Sequence, residues 1–231
     1  FSGFQLGLGW SGSNSKETFS NNGNAWEDKV QDNGITFGLG YNNGPIQAGF
    51  SFDYMRLKDS GYFNNQSYNF DEKIKAWNLG FAYDFDVVKL HLMYGQQNDG
   101  AIDGIGLAED IAIPVGTSIA YATDVVDANG NPFVGDGYRQ KSWLIGLTAP
   151  VSDAGKVLFS YTGNNIKNTD VVDGKITSHI FSLGYLHSLS KRTSVYAVAS
   201  YGQSKLKVNE TAFDGQAKLK STEVVLGLQH R

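Results

Sequence analysis

Apolar and aromatic residues occupy every second position in segment after segment of this chain. Between 77 and 85, Trp, Leu, Phe, Tyr and Phe alternate with Asn, Gly, Ala and Asp, and 46–55 repeats the pattern. Because successive side chains of a β-strand point to opposite faces, this alternation predicts strands with one apolar face and one small or polar face. We expect ten strands, at 3–11, 34–42, 45–56, 71–86, 87–96, 139–149, 155–163, 177–187, 192–202 and 220–231.

The connections between these expected strands alternate in length. The short turns fall at 42–44, 85–86, 150–155 and 188–192. The long segments are rich in Asn, Gly, Asp and Ser and run over 12–33, 57–70, 97–138, 164–176 and 203–219. Such alternation is typical of up-and-down outer-membrane barrels, whose long loops all lie on one side of the membrane. Apolar residues in 105–122 are compatible with an additional hairpin.

The face opposite the apolar one carries little bulk. Glycine recurs on it, at 38, 40, 49, 80, 146, 184 and 227. Aromatic residues instead recur near the strand ends, as Trp10, Tyr41, Tyr54, Tyr94, Trp143, Tyr161, Tyr185 and Tyr201. Amphipathic rings prefer a membrane–water interface, and a face of Gly and Ser lines water more readily than it fills a protein core. The pattern therefore favours a transmembrane barrel over a soluble β-sandwich, which would bury the apolar face.

Composition narrows the classes of function. The 231 residues include 28 Gly and no Cys, and the formal net charge is −4. The lack of Cys excludes a disulfide scaffold and thiolate metal sites, and the charge gives no basic field that would attract nucleic acid. No run of about 18 apolar residues occurs, so we expect no helical membrane span.

The motifs that could carry chemistry are weak. Residues 7–12 match G-x-G-x-x-G, but a polar loop follows where a dinucleotide site needs a helix. Residues 127–132 have Pro where a calcium loop requires Gly. The four His residues are scattered over separate strands without ligand spacing. We expect no enzymatic activity, no cofactor and no metal site.

The C-terminal third carries two more specific patterns. Residues 182–197 read Ser-Leu-Gly-Tyr-Leu-His-Ser-Leu-Ser-Lys-Arg-Thr-Ser-Val-Tyr-Ala, and 224–231 read Val-Val-Leu-Gly-Leu-Gln-His-Arg. They resemble the penultimate hairpin and the last strand of Gram-negative general diffusion porins. The resemblance implies an all-β, antiparallel up-and-down barrel of sixteen strands in the outer membrane, of which about ten lie in this chain. It also implies a homotrimer that lets ions and small hydrophilic solutes diffuse through a water-filled channel, with membrane lipid and lipopolysaccharide as further partners.

Two departures from that family leave the extent of the barrel open. Family members are roughly half as long again, and their last residue is an aromatic, whereas this chain stops at Arg231. We therefore expect 1–231 to form a single barrel domain that is incomplete at its N-terminus and lacks the loop that constricts the pore in the family. The alternative is a complete ten-stranded outer-membrane barrel that acts as a rim-site enzyme or adhesin.

Alternation also predicts which side chains face the water. The expected pore-lining residues are Gln47, Asp53, Lys89, His91, Lys156, Glu223 and Arg231. Charged groups in a narrow aqueous pore favour ions of one sign, so Lys89 and Lys156 should attract anions while carboxylates at 53 and 223 oppose them. Near the expected outer rim, Arg56, Lys73 and Lys75 are candidates for contact with lipid phosphate, and the 97–138 loop is rich in Asp.

Overall fold

A computed structural model describes residues 2–21, 24–63, 66–100, 112–115, 118–121, 134–210 and 213–230. The strands in it are β1 (Phe4–Asn21), β2 (Asn24–Asn43), β3 (Ile46–Phe63), β4 (Gln66–Asp84), β5 (Lys89–Asn98), β6 (Ala112–Val115), β7 (Ser118–Tyr121), β8 (Arg139–Pro150), β9 (Gly155–Asn168), β10 (Val172–Ser188), β11 (Thr193–Glu210) and β12 (Phe213–His230). Within these described ranges, no helix is long and apolar enough to cross a membrane.

Ten strands form one antiparallel sheet in the order β1-β2-β3-β4-β5-β8-β9-β10-β11-β12. Each strand therefore pairs with its neighbours along the chain, and the small β6–β7 hairpin interrupts the series without joining the sheet. This is the expected up-and-down topology, and the hairpin lies inside the segment 105–122 where the alternation suggested one. The turns at 44–45, 85–88, 151–154 and 189–192 define the short-turn end of the sheet, and the β5–β8 connection lies at the opposite, long-loop end.

The strands are longer than the sequence pattern predicts. Most of the expected loops at 12–33, 57–70, 164–176 and 203–219 prove to be strand, and that part of the prediction is wrong. Apolar alternation marks only the part of a strand that meets an apolar environment, whereas the backbone ladder continues through polar sequence wherever its hydrogen bonds are made. The expected loop at 97–138 differs from the others, because it remains a long connection between sheet strands β5 and β8 and contains only the short strands β6 and β7 among its described residues.

The two faces of the sheet differ as the alternation predicts. The outer face, defined by Trp77, Leu79 and Phe81, is apolar and unusually exposed, with Phe81 40% and Leu226 77% accessible. The inner face, defined by Gln47 and Asp53, carries the polar side chains. A soluble β-sandwich would cover the apolar face with a second sheet, but the described residues supply only the four-residue strands β6 and β7. The sandwich alternative is therefore wrong.

Aromatic rings border the apolar band of the outer face at both ends. At the short-turn end, the Phe4 and Tyr41 rings lie 4.7 Å apart and those of Tyr83 and Phe85 lie 4.5 Å apart. Toward the long-loop end the row comprises Trp10, Tyr54, Trp77, Tyr94, Trp143, Tyr161, Phe181 and Tyr201. Such paired rows are the interfacial girdles of a membrane barrel.

The sheet ends at β1 on one side and at β12 on the other. No pairing between these two strands occurs among the described residues. Their apolar side chains are the most exposed of the outer face, with Leu8 76% and Leu226 77% accessible, because each has a neighbouring strand on one side only. Both edges therefore present backbone groups that can accept a further strand.

One outer-face contact depends on the absence of a side chain. Trp143 on β8 is paired in register with Gly163 on β9, and a Cβ built at Gly163 would collide with the indole ring. The ring therefore lies across the glycine backbone, which covers the polar groups there with an apolar surface. This packing of an aromatic ring over a cross-strand glycine pins the register of the pair.

We expect Gly163→Ala to displace the Trp143 ring and to destabilise the sheet by about 1–3 kcal/mol, the usual cost of overpacking. Chemical denaturation of the protein in detergent, followed by tryptophan emission, measures both effects. Gly38→Ala is the matched control, because a Cβ at that inner-face position meets nothing within 4 Å. Equal destabilisation by the two substitutions would contradict the contact.

Candidate functional site

Four of the expected pore residues lie on the inner face of β3 and β5, and two of them, Gln47 and Lys89, are in contact. The Lys89 Nζ donates a 2.8 Å hydrogen bond to the Oε1 of Gln47. The two strands that hold them are separated by β4, and small Ala82 lies between Gln47 and His91 in the register. This small residue leaves room for the lysine to reach across, so the ammonium is held against the wall.

Asp53 and His91 are also held by neighbours on the same face. The Thr36 hydroxyl donates a 2.6 Å hydrogen bond to the Asp53 carboxylate, and the His91 Nε2 lies 3.2 Å from the Thr148 Oγ1. Thr36 is directly opposite Asp53 on the neighbouring strand, and Thr148 is diagonal to His91. The side chains are therefore oriented by the sheet itself, although sequence alone did not reveal Thr36 and Thr148 as their partners.

The remaining expected residues are not brought into this group. Lys156 on β9 and Glu223 on β12 are exposed on the same inner face. Among the interactions of the described residues, neither joins the Gln47–Lys89 pair. Arg231 lies outside the described residues, as does the segment 127–132, which does not fit a calcium loop.

Polar ladders continue the inner face over β8, β10 and β11. The Ser178 and Ser204 hydroxyls are 2.8 Å apart, and the Ser182 and Ser200 hydroxyls are also 2.8 Å apart. Both pairs join directly opposed residues of β10 and β11. The sequence showed small polar residues here, but the pairing becomes visible only once the register is known.

The glycines of the inner face play two different roles. On β1–β4, Gly7, Gly38, Gly49 and Gly80 have open space or only distant backbone where a Cβ would stand. Elsewhere a neighbouring side chain occupies that place, on β1 as well as on β12: the Thr36 side chain lies against Gly9, and the Tyr196 ring covers Gly227. The sequence indicated that the inner-face glycines line water, whereas the structure shows that some leave the wall open and others make room for a neighbouring side chain.

Part of the inner face toward the long-loop end is buried and excluded from solvent. Buried apolar residues there are Ile74, Ala76, Ile166, Ile176 and Leu206, and each is at most 6% exposed. Alternation predicted a wetted face, and in this region that prediction is wrong. A wall covered on its inner side narrows the space available to water.

Residues 134–138, which lead into β8, lie against this covered wall. The Asn168 Nδ2 donates a 2.9 Å hydrogen bond to the Asp136 carbonyl, and the Asp99 amide donates a 2.8 Å bond to the Tyr138 carbonyl. The Tyr138 hydroxyl donates to the Gln140 Oε1 at 2.7 Å, and burial raises the pKa of this phenol. The two ends of the β5–β8 connection are thereby fastened to each other and to β9 on the inner side.

Carboxylates gather on the inner face of β2 and β3 beyond the apolar band. Burial, together with the hydrogen bond and charge of Asp28, raises the pKa of the Asp59 carboxyl, and Asp32 adds to the effect. This end of the inner face is therefore acidic, whereas Lys89 and Lys156 lie near the short-turn end. Among the described residues, no group of His, Asp and Glu has an arrangement that could hold a metal ion.

Comparison with known proteins assigns the chain. A family model described as Gram-negative porin matches residues 1–207. The chain belongs to the Gram-negative porin family. An outer membrane porin protein of Bordetella pertussis is 36% identical over 240 residues, covering 100% of this chain and 54% of the relative. Outer membrane porin protein 32 of Delftia acidovorans is 27% identical, covering 84% of this chain and 59% of the relative.

Solved structures support the fold independently. In-vitro folded OmpT, an outer membrane protein of Vibrio cholerae, superimposes with a TM-score of 0.53 at 11% identity and covers 93% of this chain and 62% of its own. At such low identity the likeness concerns the fold of an outer-membrane β-barrel alone. This porin chain is located in the outer membrane and spans about half the length of its curated relatives.

We expect Asn168→Ala to loosen residues 134–138 of the porin chain, because it removes the donor to Asp136 and leaves that carbonyl unpaired. Chymotrypsin cleavage after Tyr138, followed by mass spectrometry, should accelerate by roughly tenfold. Asn165→Ala, an outer-face change on the same strand, is the control and should cleave at the original rate. Unchanged cleavage in Asn168→Ala would show that this bond does not fasten the segment.

Proposed function

We propose that the protein is a passive diffusion channel of the outer membrane. Ions and small hydrophilic solutes pass through its water-filled barrel without any chemical step. One observation best supports a channel: the two faces of a single sheet differ. One face is apolar and exposed, and the opposite face carries charged groups held by hydrogen bonds, such as Lys89 and Asp53. Family membership supports the same activity.

The rim-site enzyme and the adhesin have no comparable support. Among the hydrogen bonds of the described residues, each of the four His rings is joined to a hydroxyl: His91 to Thr148, His179 to Tyr161, His187 to Tyr185 and His230 to Thr193. These pairs are distributed over the sheet and occupy both of its faces. A nucleophile and base would instead have to converge on one reacting atom.

The seven inner-face residues predicted from the sequence are proposed to line the pore. Lys89 and Lys156 attract anions, and Asp53 and Glu223 oppose them. Lys89 should dominate, since its ammonium has a fixed position and a neutral hydrogen-bond acceptor, whereas Asp53 is partly compensated by a hydroxyl donor. Arg231 would add a further cation to the same wall.

The assembly proposed for the protein is the one its family resemblance implies. We propose that 1–231 is part of a single sixteen-stranded barrel domain that forms a homotrimer and contacts membrane lipid and lipopolysaccharide. Both free edges of the sheet would accept the additional strands. Analytical ultracentrifugation of the native protein in detergent measures the stoichiometry, and a monomer would contradict the trimer.

Planar-bilayer recordings of the native protein test the channel itself. We expect stepwise increases in ion current that scale with salt concentration, because a water-filled pore conducts by diffusion. Folded protein that inserts into the bilayer without conducting would overturn the proposal. Recordings with uncharged sugars of increasing size would then give the width of the narrowest section.

We expect Lys89→Glu to shift the reversal potential in a salt gradient toward cations. The permeability ratio should change by roughly two- to fivefold, the scale of one partly screened charge near the path. Lys89→Gln should give an intermediate value. Lys191→Glu is the matched control, because it makes the same charge change on an exposed turn at the same end of the sheet. An equal shift in Lys89→Glu and Lys191→Glu would contradict the prediction, because any charge at this end of the sheet would then have the same effect as one on the inner face.

A further inference from the structure

The inner face of β8, β9, β10 and β11 carries an apolar surface that the alternation does not predict. Leu144, Leu158, Leu186 and Val198 all belong to this face, because each is paired in register with an inner-face residue of a neighbouring strand. The side chain of Leu158 is 39% exposed. An exposed group of large apolar side chains is unfavourable beside water, and such patches commonly mark a place where another molecule binds.

These apolar side chains surround a cavity with a volume of about 580 Å³. Gly146 and Gly184 form its floor, where the lack of side chains leaves a depression in the wall. Ser160, Ser182 and the ring of Tyr196 complete the lining. A concave site of this size, mostly apolar with a few polar groups, is the usual form of a small-molecule site.

The polar groups lie at the two ends of the apolar surface. Ser160 is directly opposed to Ser182 at the level nearer the long-loop end, and Lys156 is directly opposed to Leu186 at the level nearer the short-turn end. Leu158 lies between these two levels. A molecule that lies along this wall would therefore meet an ammonium group at one end, an apolar surface in the middle and hydroxyl groups at the other end.

The charge of Lys156 has no counter-ion on this wall. Its side chain is exposed, and it forms no ion pair among the described residues. The residues directly opposed to it are Pro150 and Leu186, neither of which is acidic, and no Asp or Glu is among the residues that line the cavity. A cation beside an exposed apolar surface is complementary to an anion that carries an apolar body.

The floor of the cavity is suited to an aromatic ring. On the outer face of the same sheet, the Trp143 ring lies across the backbone of Gly163. At Gly184 the atom nearest to a Cβ built on the backbone is a methyl carbon of Val198, at 3.5 Å, and none of the three nearest atoms belongs to a ring. The backbone of Gly184 is therefore open to the same kind of packing by the ring of a bound molecule.

We propose that this cavity binds aromatic carboxylates from the solution that fills the pore. The ring lies over Gly184 between Leu158 and Leu186, and the carboxylate pairs with the ammonium of Lys156. The inference deepens the proposed function and rests on it for the access of solutes to the inner face. The passage of these solutes would then saturate with concentration, whereas the passage of sugars would not.

A ligand-observed NMR titration of the native protein in detergent tests the site. The probe is phenylpropionate, and its matched compounds are phenylpropanol, which lacks the charge, and propionate, which lacks the ring. A titration of protein-free micelles is subtracted from each. We expect saturable binding of phenylpropionate that is roughly fivefold or more tighter than that of either matched compound, since ring burial and the ion pair both contribute.

Two pairs of variants locate the binding. Gly184→Leu fills the floor of the cavity and should weaken binding roughly tenfold or more, whereas Gly38→Leu adds the same side chain to an open part of the inner face and should leave it unchanged. Lys156→Gln should weaken binding roughly three- to fivefold, and Lys156→Arg should retain it, because a guanidinium group also pairs with a carboxylate. Since Lys156 is exposed, its variants test the site even where Gly184→Leu does not fold.

Three results would each overturn the inference: no saturable binding by the native protein, equal affinity for phenylpropionate and phenylpropanol, or an equal loss in Gly184→Leu and Gly38→Leu. The outcome is separable from that of the channel proposal, because binding is measured without ion flow and conductance is recorded without the probe. A protein that binds phenylpropionate but does not conduct would refute the channel alone. A protein that conducts but does not bind phenylpropionate would refute the cavity site alone.

Discussion

The continuous backbone ladder is the constraint on which the rest of this structure depends. In a bilayer no water is available to backbone groups, and each unpaired one costs several kcal/mol. Ten antiparallel strands, in sequence order apart from the inserted β6–β7 hairpin, satisfy this requirement with short connections at one end. Once the ladder is set, side chains must alternate between faces, so the apolar exterior, the interior charges and the outer-face cations beyond the aromatic row are all consequences of one register.

The interior is less uniform than this alternation alone would make it. Some inner-face glycines, such as Gly38 and Gly49, leave the wall open, whereas others, such as Gly9 and Gly227, make room for side chains of neighbouring strands. The covered wall around Ile166 and Ile176, with Tyr138 fastened beside it, adds a second asymmetry toward the long-loop end. The inner face is therefore covered toward the long-loop end, whereas the Gln47–Lys89 pair lies near the short-turn end.

The sequence allowed the fold to be predicted well because period-two alternation is a local signal. All ten sheet strands and the inner-face positions of Gln47, Asp53 and Lys89 follow from parity. Strand ends could not be predicted, because polar residues such as those at 12–21 carry no apolar signal although their backbone pairs in the same way. Partners such as Thr36 for Asp53 depend on the register between segments that are distant in sequence, and the burial of Ile74 and Ile166 on the inner face is likewise not a local signal.

The concentration of cations at one level of the outer face also affects the motions open to the protein. To turn over or slide toward the short-turn end, the sheet would have to carry the Lys and Arg residues that lie on the outer face beyond the aromatic row, such as Arg56, Lys141 and Lys205, into hydrocarbon. Each charge that reaches the centre costs about 2.5–3.5 kcal/mol. The aromatic row opposes movement in the other direction, because its rings prefer the interface. The outer face therefore holds the barrel at a single depth and in a single orientation in the membrane.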